Sequence, residues 1–412
     1  MFEGAVEWVV HRARRALHAP LFKPEMLPDP YPTYHRLRSQ DPVHWDKAES
    51  RWVLTRYADV SAVLRSPAAS SDRAAAAAAL APPSVRPLLA FRANSMINSD
   101  APKHTRLRLL VSKAFTARAV EAMTAKIQRL VDGLLDAVQP RGRMDAIADL
   151  AYPLPVTVIA EMLGVPAEDR DQFKHWSDEL SLIVGNANDL AMAEYKRVGH
   201  AFQELVAYFA RVVAERRVHP KDDLLSALTQ AEEAGDRLSA DELYATATLL
   251  LVAGNETTTN LIGNGTLALL RNPDQLARLT ADPSLVPAAV EELLRYDSPV
   301  QFTGRHLKAA MTVGGKTLEA GQSVLLLLGA ANRDPAQFAD PDRLDVGRPD
   351  VKHLAFGLGS HFCLGAQLAR LEGRIVFETL LRRMPKLRLG GPEPEYRPHF
   401  NLRGLKALPV TF

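Results

Sequence analysis

The chain has 412 residues, with 50 Lys and Arg against 48 Asp and Glu, for a formal net charge of +2. Its apolar fraction of 47% is ordinary for a globular protein, and its single cysteine excludes an internal disulfide, which suits a reducing cytoplasm. No apolar run reaches the length of a membrane span; the longest is Leu325 to Leu328 with its flanks. The charge balance argues neither for nor against nucleic acid, and no nucleic-acid partner is expected.

Residues Met1 to Arg15 place their charges after the apolar part, the reverse of a secretory signal. They read as an amphipathic helix, either packed on the body of the protein or resting on a membrane surface or a partner. Residues 1–24 form an N-terminal extension whose role the sequence leaves open. Pro28, Pro30 and Pro32 make a rigid lead-in to a helix that begins over Tyr34 to Leu37. Trp52 to Thr55 reads as a strand and Tyr57 to Leu64 as a helix. The stretch from Pro67 to Pro87 carries the alanine run Ala74 to Ala79, closed by Pro82 and Pro83, and reads as a surface helix or a mobile cover. Helical patterns fill much of residues 101–296, with breaks at Pro140 to Gly142, Gly164 to Pro166 and His219–Pro220. Met311 to Leu318 reads as a hairpin and Val324 to Leu328 as a further strand. Many helices and a small sheet place the chain in a mainly α, α+β class.

Three stretches carry chemistry. Ser239 and Glu242 form a capping box that opens a helix running to about Arg271. The run is weakly polar on every side, so the helix is expected to be buried. In its middle lies Ala253-Gly254-Asn255-Glu256-Thr257-Thr258. Thr257 can bond the carbonyl four residues back, which bends the helix and opens a gap. Glu256 is costly there unless paired or functional, so the stretch is either a kink with a salt-bridged glutamate or a site. Further on, Glu292 and Arg295 face each other at i and i+3, with Pro287 in the first turn of their helix and Pro299 at its end. Such a pair is a surface ion pair or a buried scaffold.

The third stretch is Phe356-Gly357-Leu358-Gly359-Ser360-His361-Phe362-Cys363-Leu364-Gly365, followed by the helix-forming run from Ala366. The glycines allow a tight loop, and a thiol beside a helix start is expected to have a lowered pKa. A lone thiolate cannot hold a zinc or an iron–sulfur cluster by itself, but it can be the axial ligand of haem. A buried, inert cysteine is the other reading.

These residues closely resemble the haem-binding loop of the cytochrome P-450 superfamily, whose pattern is Phe-Gly-x-Gly-x-His/Arg-x-Cys-x-Gly. The other two stretches match the family in the correct order, and the resemblance covers the chain from about Pro28, in its soluble bacterial branch. It implies one large helix-rich domain over residues 1–412, although length alone suggests two or three. It implies haem b with Cys363 as axial ligand and metal site, and a loop shaped by Phe356, Gly357 and Gly365. Thr257 would donate a hydrogen bond to dioxygen and Glu256 would relay protons, with Ala253 and Gly254 beside the haem. Asn255 departs from the commoner residue and is expected to alter the pocket or its water chain. His104, Arg108, Arg305 and His361 would hold the haem propionates. Glu292, Arg295 and a third arginine, Arg343 with Arg348 as substitute, would brace the thiolate loop.

The activity implied is insertion of one oxygen atom from dioxygen into an apolar small molecule. Pocket walls are expected from Leu88, Met96, Ile183, Val184, Leu249, Val300, Phe302 and Phe400. The chain shows no dinucleotide or flavin fingerprint, so electrons would come from separate proteins, which the family suggests are a ferredoxin and its reductase. Arg106, Lys113, Arg118, Arg370 and Arg374 would form a basic docking face. A cytoplasmic monomer is expected. The alternatives are a peroxide-driven peroxygenase and a non-catalytic haem-binding sensor or carrier.

Overall fold

The computed structural model describes residues 21–72, 93–186, 192–233 and 235–412. The first part of the N-terminal extension and the alanine run Ala74 to Ala79 fall outside the described residues, as does Leu88.

Six helices position the site: α1 Lys103–Ala114, α2 Arg170–Asn186, α3 Met192–Val218, α4 Ala240–Arg271, α5 Val286–Tyr296 and α6 Ala366–Arg383. The longest is α4, with 32 residues, or roughly 48 Å at 1.5 Å per residue. Its start is fixed as expected: the Ser239 amide donates to Glu242 Oε2 at 3.0 Å and the Glu242 amide to Ser239 Oγ at 3.3 Å. Most of its residues are buried, because it runs between α5 and α6 on one side and the helix Pro153–Met162 with α2 and α3 on the other. The main core is built around this axis from Leu110, Ile127, Leu135, Leu154, Phe173, Phe209 and Leu251. A second cluster, with Leu261, Val290, Leu293 and Phe377, seals α4 against α5 and α6.

The sheet content is small. Strands β1 Val43–Asp46, β2 Arg51–Leu54, β3 Ala69–Ser70, β4 Phe302–Leu307 and β5 Ser323–Leu327 make one sheet in the order β1-β2-β5-β4-β3. The β5–β2 pairing is parallel and the others are antiparallel. Side chains alternate across the sheet. Phe302, Leu325, Leu327 and Val53 face one cluster; Leu307, Val324, Leu326 and Leu54 face another. Thr303 and Arg305 share the second face by parity. The expected hairpin is present as Met311–Val313 paired with Lys316–Leu318. Its two-residue turn is Gly314–Gly315, with φ of 55° and 80°, a turn that needs glycine-like conformations at both positions. Among the described residues no helix is long and apolar enough to cross a membrane.

Among the described residues, Glu372 is a buried acid with no counter-charge. Glu372 on α6 is 2% exposed, and its Oε2 has no hydrogen-bond partner. Burial pushes its carboxyl up to about 8 from 4.5. A carboxyl raised on folding costs nothing below 4.5 and a growing amount up to about 8. Glu372→Gln should therefore match the wild type in urea unfolding free energy under acid conditions and exceed it by a few kcal/mol above pH 8. A variant no more stable at high pH would show that the acid is solvated.

Candidate active site

The cysteine loop is a series of turns. The Gly357 amide donates to Leu354 O at 2.8 Å, Phe362 N to Gly359 O at 3.1 Å, and Cys363 N to Phe356 O at 2.9 Å. Gly359 has φ of +76°, and a Cβ there would come within 2.8 Å of the Leu64 carbonyl oxygen. Gly357 also has positive φ, at +70°. Gly365 lies at φ −81° and caps α6, so neither strain nor a close neighbour requires glycine there. The Phe356 ring lies under the Arg370 guanidinium at 4.6 Å and against Phe362 at 6.2 Å.

Cys363 is exposed, yet its thiol is flanked by enough protein that desolvation opposes its ionisation. Burial pushes the thiol up, while the Gly365 amide, Arg108 and Arg370 pull it down. The sequence led us to expect a lowered value; the helix start is in place, but desolvation outweighs it. Among the described residues no group of three or more His, Cys, Asp or Glu could hold a metal ion. The sulfur therefore suits an iron that brings its other ligands with it, and metal coordination deprotonates a thiol outright.

The middle of α4 is open along one strip. Leu249, Ala253 and Thr257, at i, i+4 and i+8, are partly or fully exposed, with Val252 and Gly254 half-buried beside them, on a helix that is mostly buried. Thr257 Oγ1 donates to Ala253 O at 2.8 Å, as its spacing required. Gly254 is half-buried, and a Cβ on it would make only ordinary contact with Ile159 at 3.8 Å. Glu256 is 5% exposed, and neither of its oxygens has a hydrogen-bond partner. Burial pushes its carboxyl up, Arg397 and Ser181 pull it down, and Asp178 pushes it up. Asn255 does not reach the open strip. It is buried and donates to Ser177 Oγ at 3.0 Å, which ties α4 to α2.

A cationic cluster forms from three parts of the chain. His104 and Arg108 come from α1, Arg305 from β4 and His361 from the cysteine loop. The two imidazoles lie 4.0 Å apart between centroids. Burial, His104 and Arg305 push His361 down to about 4. Arg305 is steadied by Gly304 O at 2.8 Å. Arg108 forms no ion pair with any described residue. Asp100, the acid facing this cluster, is already held by Ser70 Oγ at 2.6 Å, the Ser71 amide at 2.9 Å and Lys308 at 3.1 Å. The cluster is short of anions, which fits a group carrying two carboxylates.

The expected pocket residues divide. Leu249 lies on the open strip, and Met96 is buried in the main core. The side chains of Ile183 and Val184 fall outside the described residues. Val300 is half-buried and bridges to Leu402. Alternation along β4 turns Phe302 to the face opposite Arg305, where it packs on Phe22 at 5.4 Å. Phe400 joins the same aromatic group, 5.6 Å from Phe22.

The family description "Cytochrome P450" matches residues 44–399. The chain belongs to the cytochrome P450 family. It is 46% identical over 370 residues to Cytochrome P450 107B1 of Saccharopolyspora erythraea, covering 87% of this chain and 88% of that one. It is 44% identical to the Vitamin D(3) 25-hydroxylase of Pseudonocardia autotrophica, covering 95% and 96%. Among solved structures, P450BioI in complex with an acyl carrier protein bearing hexadec-9Z-enoic acid aligns with a TM-score of 0.87 at 38% identity, over 94% of this chain and 99% of that one. The protein is thus a haem-thiolate monooxygenase. Its cofactor is haem b with the Cys363 thiolate as axial ligand, its substrate is lipophilic, and it uses dioxygen and redox partners.

In this P450 the brace of the cysteine loop differs from expectation in one member. Glu292 and Arg295 are fully buried, and the Arg295 Nε and Nη2 donate to both Glu292 oxygens at 2.7 and 2.8 Å. The third side chain is Arg348, whose Nε lies 3.1 Å from both Glu292 oxygens. Arg343 is exposed and contributes only its carbonyl, to Arg295 at 3.2 Å and Arg348 at 3.1 Å. A turn at Asp345, which accepts the Arg348 amide at 2.9 Å, carries the later arginine back over the pair. Sequence reasoning also missed Glu291. It binds Arg370 at 2.6 and 2.7 Å and lies 3.3 Å from His353. Burial would raise its carboxyl, but Arg370 and His353 bring it down to about 2.

The expected basic docking face is thinner than its sequence. Arg106 is held by Asp236 and Glu242, and Arg370 by Glu291. Arg374 Nε is buried. Lys113 and Arg118 remain exposed on that side.

Arg348→Ala should cost about 3–5 kcal/mol in chemical unfolding, because it leaves a buried ion pair incomplete. Arg343→Ala should stay within about 0.5 kcal/mol of wild type. The reverse ranking would return the bracing role to Arg343.

Proposed function

We propose that Thr257 and Glu256 form the proton-delivery pair of this monooxygenase. The observation that carries the reading is the open strip of Leu249, Ala253 and Thr257 on a largely buried helix, with a buried acid beside it whose oxygens accept no hydrogen bond. When bound, haem supplies dioxygen activation, with electron donation from the Cys363 thiolate. His104, Arg108, Arg305 and His361 hold its carboxylates. Phe356, Gly357 and Gly365 keep the sulfur in its loop, and Ala253 presents little bulk along the open strip, with Gly254 beside it facing Ile159.

Thr257 keeps its hydroxyl proton on the Ala253 carbonyl at rest. Turning that proton outward gives a donor at the strip. Glu256, with its carboxyl pushed up by burial, holds a proton more readily than an exposed glutamate. It can release that proton toward Thr257 and be recharged from water. A peroxide-driven enzyme has no need of this pair, and a sensor or carrier has no use for it.

The chain is proposed to work as a single domain and a monomer. Electrons arrive from a ferredoxin on the cysteine side, around Lys113 and Arg118. The aliphatic side chain of Leu249 on the open strip suits a bulky apolar substrate, and one relative is named a vitamin D(3) 25-hydroxylase.

Thr257→Ala should leave haem and substrate binding near wild type and divert electrons to released peroxide. Equal coupling of electron use to product in both proteins would sink the proton-delivery reading. Reduction by an acidic ferredoxin should slow steeply between ionic strengths of about 0.1 and 1 M, as the Debye length falls from about 10 to about 3 Å. Arg118→Glu should slow it further while sparing peroxide-driven turnover. A rate indifferent to salt and to that reversal would move the docking face elsewhere.

A further inference from the structure

Glu256 is faced by an arginine that the sequence did not connect with it. Arg397 Nη1 lies 3.6 Å from Glu256 Oε1, inside ion-pair range but beyond a hydrogen bond. Arg397 belongs to the C-terminal segment, far from α4 in sequence. That segment is firmly held. The Arg397 amide donates to Gly404 O at 2.9 Å, Lys406 N donates to Glu395 O at 2.8 Å, and Tyr396 bridges to Leu405. Arg403 stacks on the Tyr396 ring at 3.9 Å and binds Asp297 at 2.6 Å.

A second, solvent-exposed acid acts on Glu256. Asp178 on α2 is exposed, and its Oδ1 accepts a hydrogen bond from Tyr152 at 2.5 Å. Ser181 is near Glu256 as well, but its hydroxyl donates to Asp178 O at 2.8 Å. The charged and titratable groups that act on Glu256 come from three places: Asp178 from helix α2, Tyr152 from the turn before Pro153, and Arg397 from the C-terminal segment. Behind them, Lys174 and His175 act on Asp178, and His399 lies beside Arg397. Lys174 sits over the Tyr152 ring at 4.5 Å. Arg397 is 26% exposed in its side chain and Glu256 6%, so the groups run from solvent inward to the buried acid.

We propose that Arg397 is a positioning residue for Glu256: it draws the ionised carboxylate toward the Asp178–Tyr152 side, where a proton from water is taken up. The carboxyl's own charge sets the release. An ionised carboxylate is attracted to a guanidinium in a poorly solvated site, and a protonated one is not. Once protonated, Glu256 is free to turn toward Thr257. One proton enters at the Asp178 side, travels as the Glu256 O–H, and leaves toward Thr257; no electrons change hands. The proposal rests on reading Glu256 as the acid of the reaction.

The test uses the haem-loaded protein at rest and in turnover. Infrared difference spectra against Glu256→Gln isolate the protonated-carboxyl band of Glu256, whose pH midpoint is then followed. Arg397→Gln should move that midpoint upward, because a cation that favours the ionised form is gone. Arg397→Lys should return it toward wild type. Asp178→Asn, which keeps an acceptor for Tyr152, should move it downward, because a like charge is gone. In turnover, Arg397→Gln should lower kcat by roughly 10²-fold or less with KM unchanged. An unmoved midpoint in Arg397→Gln overturns the proposal, and so does a Lys variant no nearer to wild type than the Gln variant. If Glu256→Gln keeps full coupling, the acid's part in the reaction fails, and the infrared midpoints still decide the role of Arg397.

Discussion

The buried Glu292 carboxylate is the constraint on which the site depends. Two arginines and the Asp345 amide converge on it. Two guanidiniums against one carboxylate would leave a buried positive charge. That excess is met by carbonyls: Asn332, Pro341 and Arg343 accept from Arg295, and Ala339, Asp340 and Arg343 from Arg348. An irregular segment with few ladder bonds of its own thereby becomes part of a rigid body. The link then reaches the sulfur by short steps. Asn332 accepts from Leu354 N at 2.7 Å, Leu354 accepts from Gly357, and Phe356 accepts from Cys363. Glu291, next along the same helix, secures the other flank through Arg370. Adjacent acids on α5 thus hold both sides of the cysteine loop. A buried ion pair is weak evidence for net stability, but it is strict about geometry, and geometry is what a ligand loop requires.

Much of this was legible in the sequence where the signal was local. The capping box at Ser239 and Glu242, the Thr257 bond to Ala253 and the i, i+3 contact of Glu292 with Arg295 each depend on a few neighbouring residues and on helical repeat. The glycine-spaced cysteine loop belongs to the same class. What was missed depends on contacts between distant parts of the chain. Arg348 and Arg343 occupy the same irregular stretch, and only the turn at Asp345 decides which side chain folds back. Glu291 looks like any exposed helix acid until Arg370 and His353 arrive from beyond residue 350. Arg397 lies in a segment with no periodicity, and its meeting with Glu256 is a product of the whole packing. The orientation of Phe302 was illegible for a simpler reason: a strand shows opposite faces to opposite layers, and its own residues did not fix which face met which layer.

Electrostatics divides the molecule into two kinds of basic residue. Arg106, Arg370 and Arg383 are paired with acids across the fold and serve as fasteners. His104, Arg108, Arg305 and His361 are gathered with little opposing charge. A near-neutral total of +2 hides that contrast. Count alone cannot distinguish a cation already compensated from one held ready for an anion.

Gly359 has a further consequence. With the Leu64 carbonyl 2.8 Å from where a Cβ would stand, the end of the helix Tyr57–Arg65 acts as a rigid stop beneath the cysteine loop. The obstacle is backbone, which cannot rotate aside as a side chain can. Any replacement of this glycine lifts the loop as a unit and carries the sulfur with it. Drift at position 359 is therefore closed to single substitutions, and it opens only if the helix end retreats first. Two segments almost three hundred residues apart are bound to a shared evolutionary history by one missing methyl group.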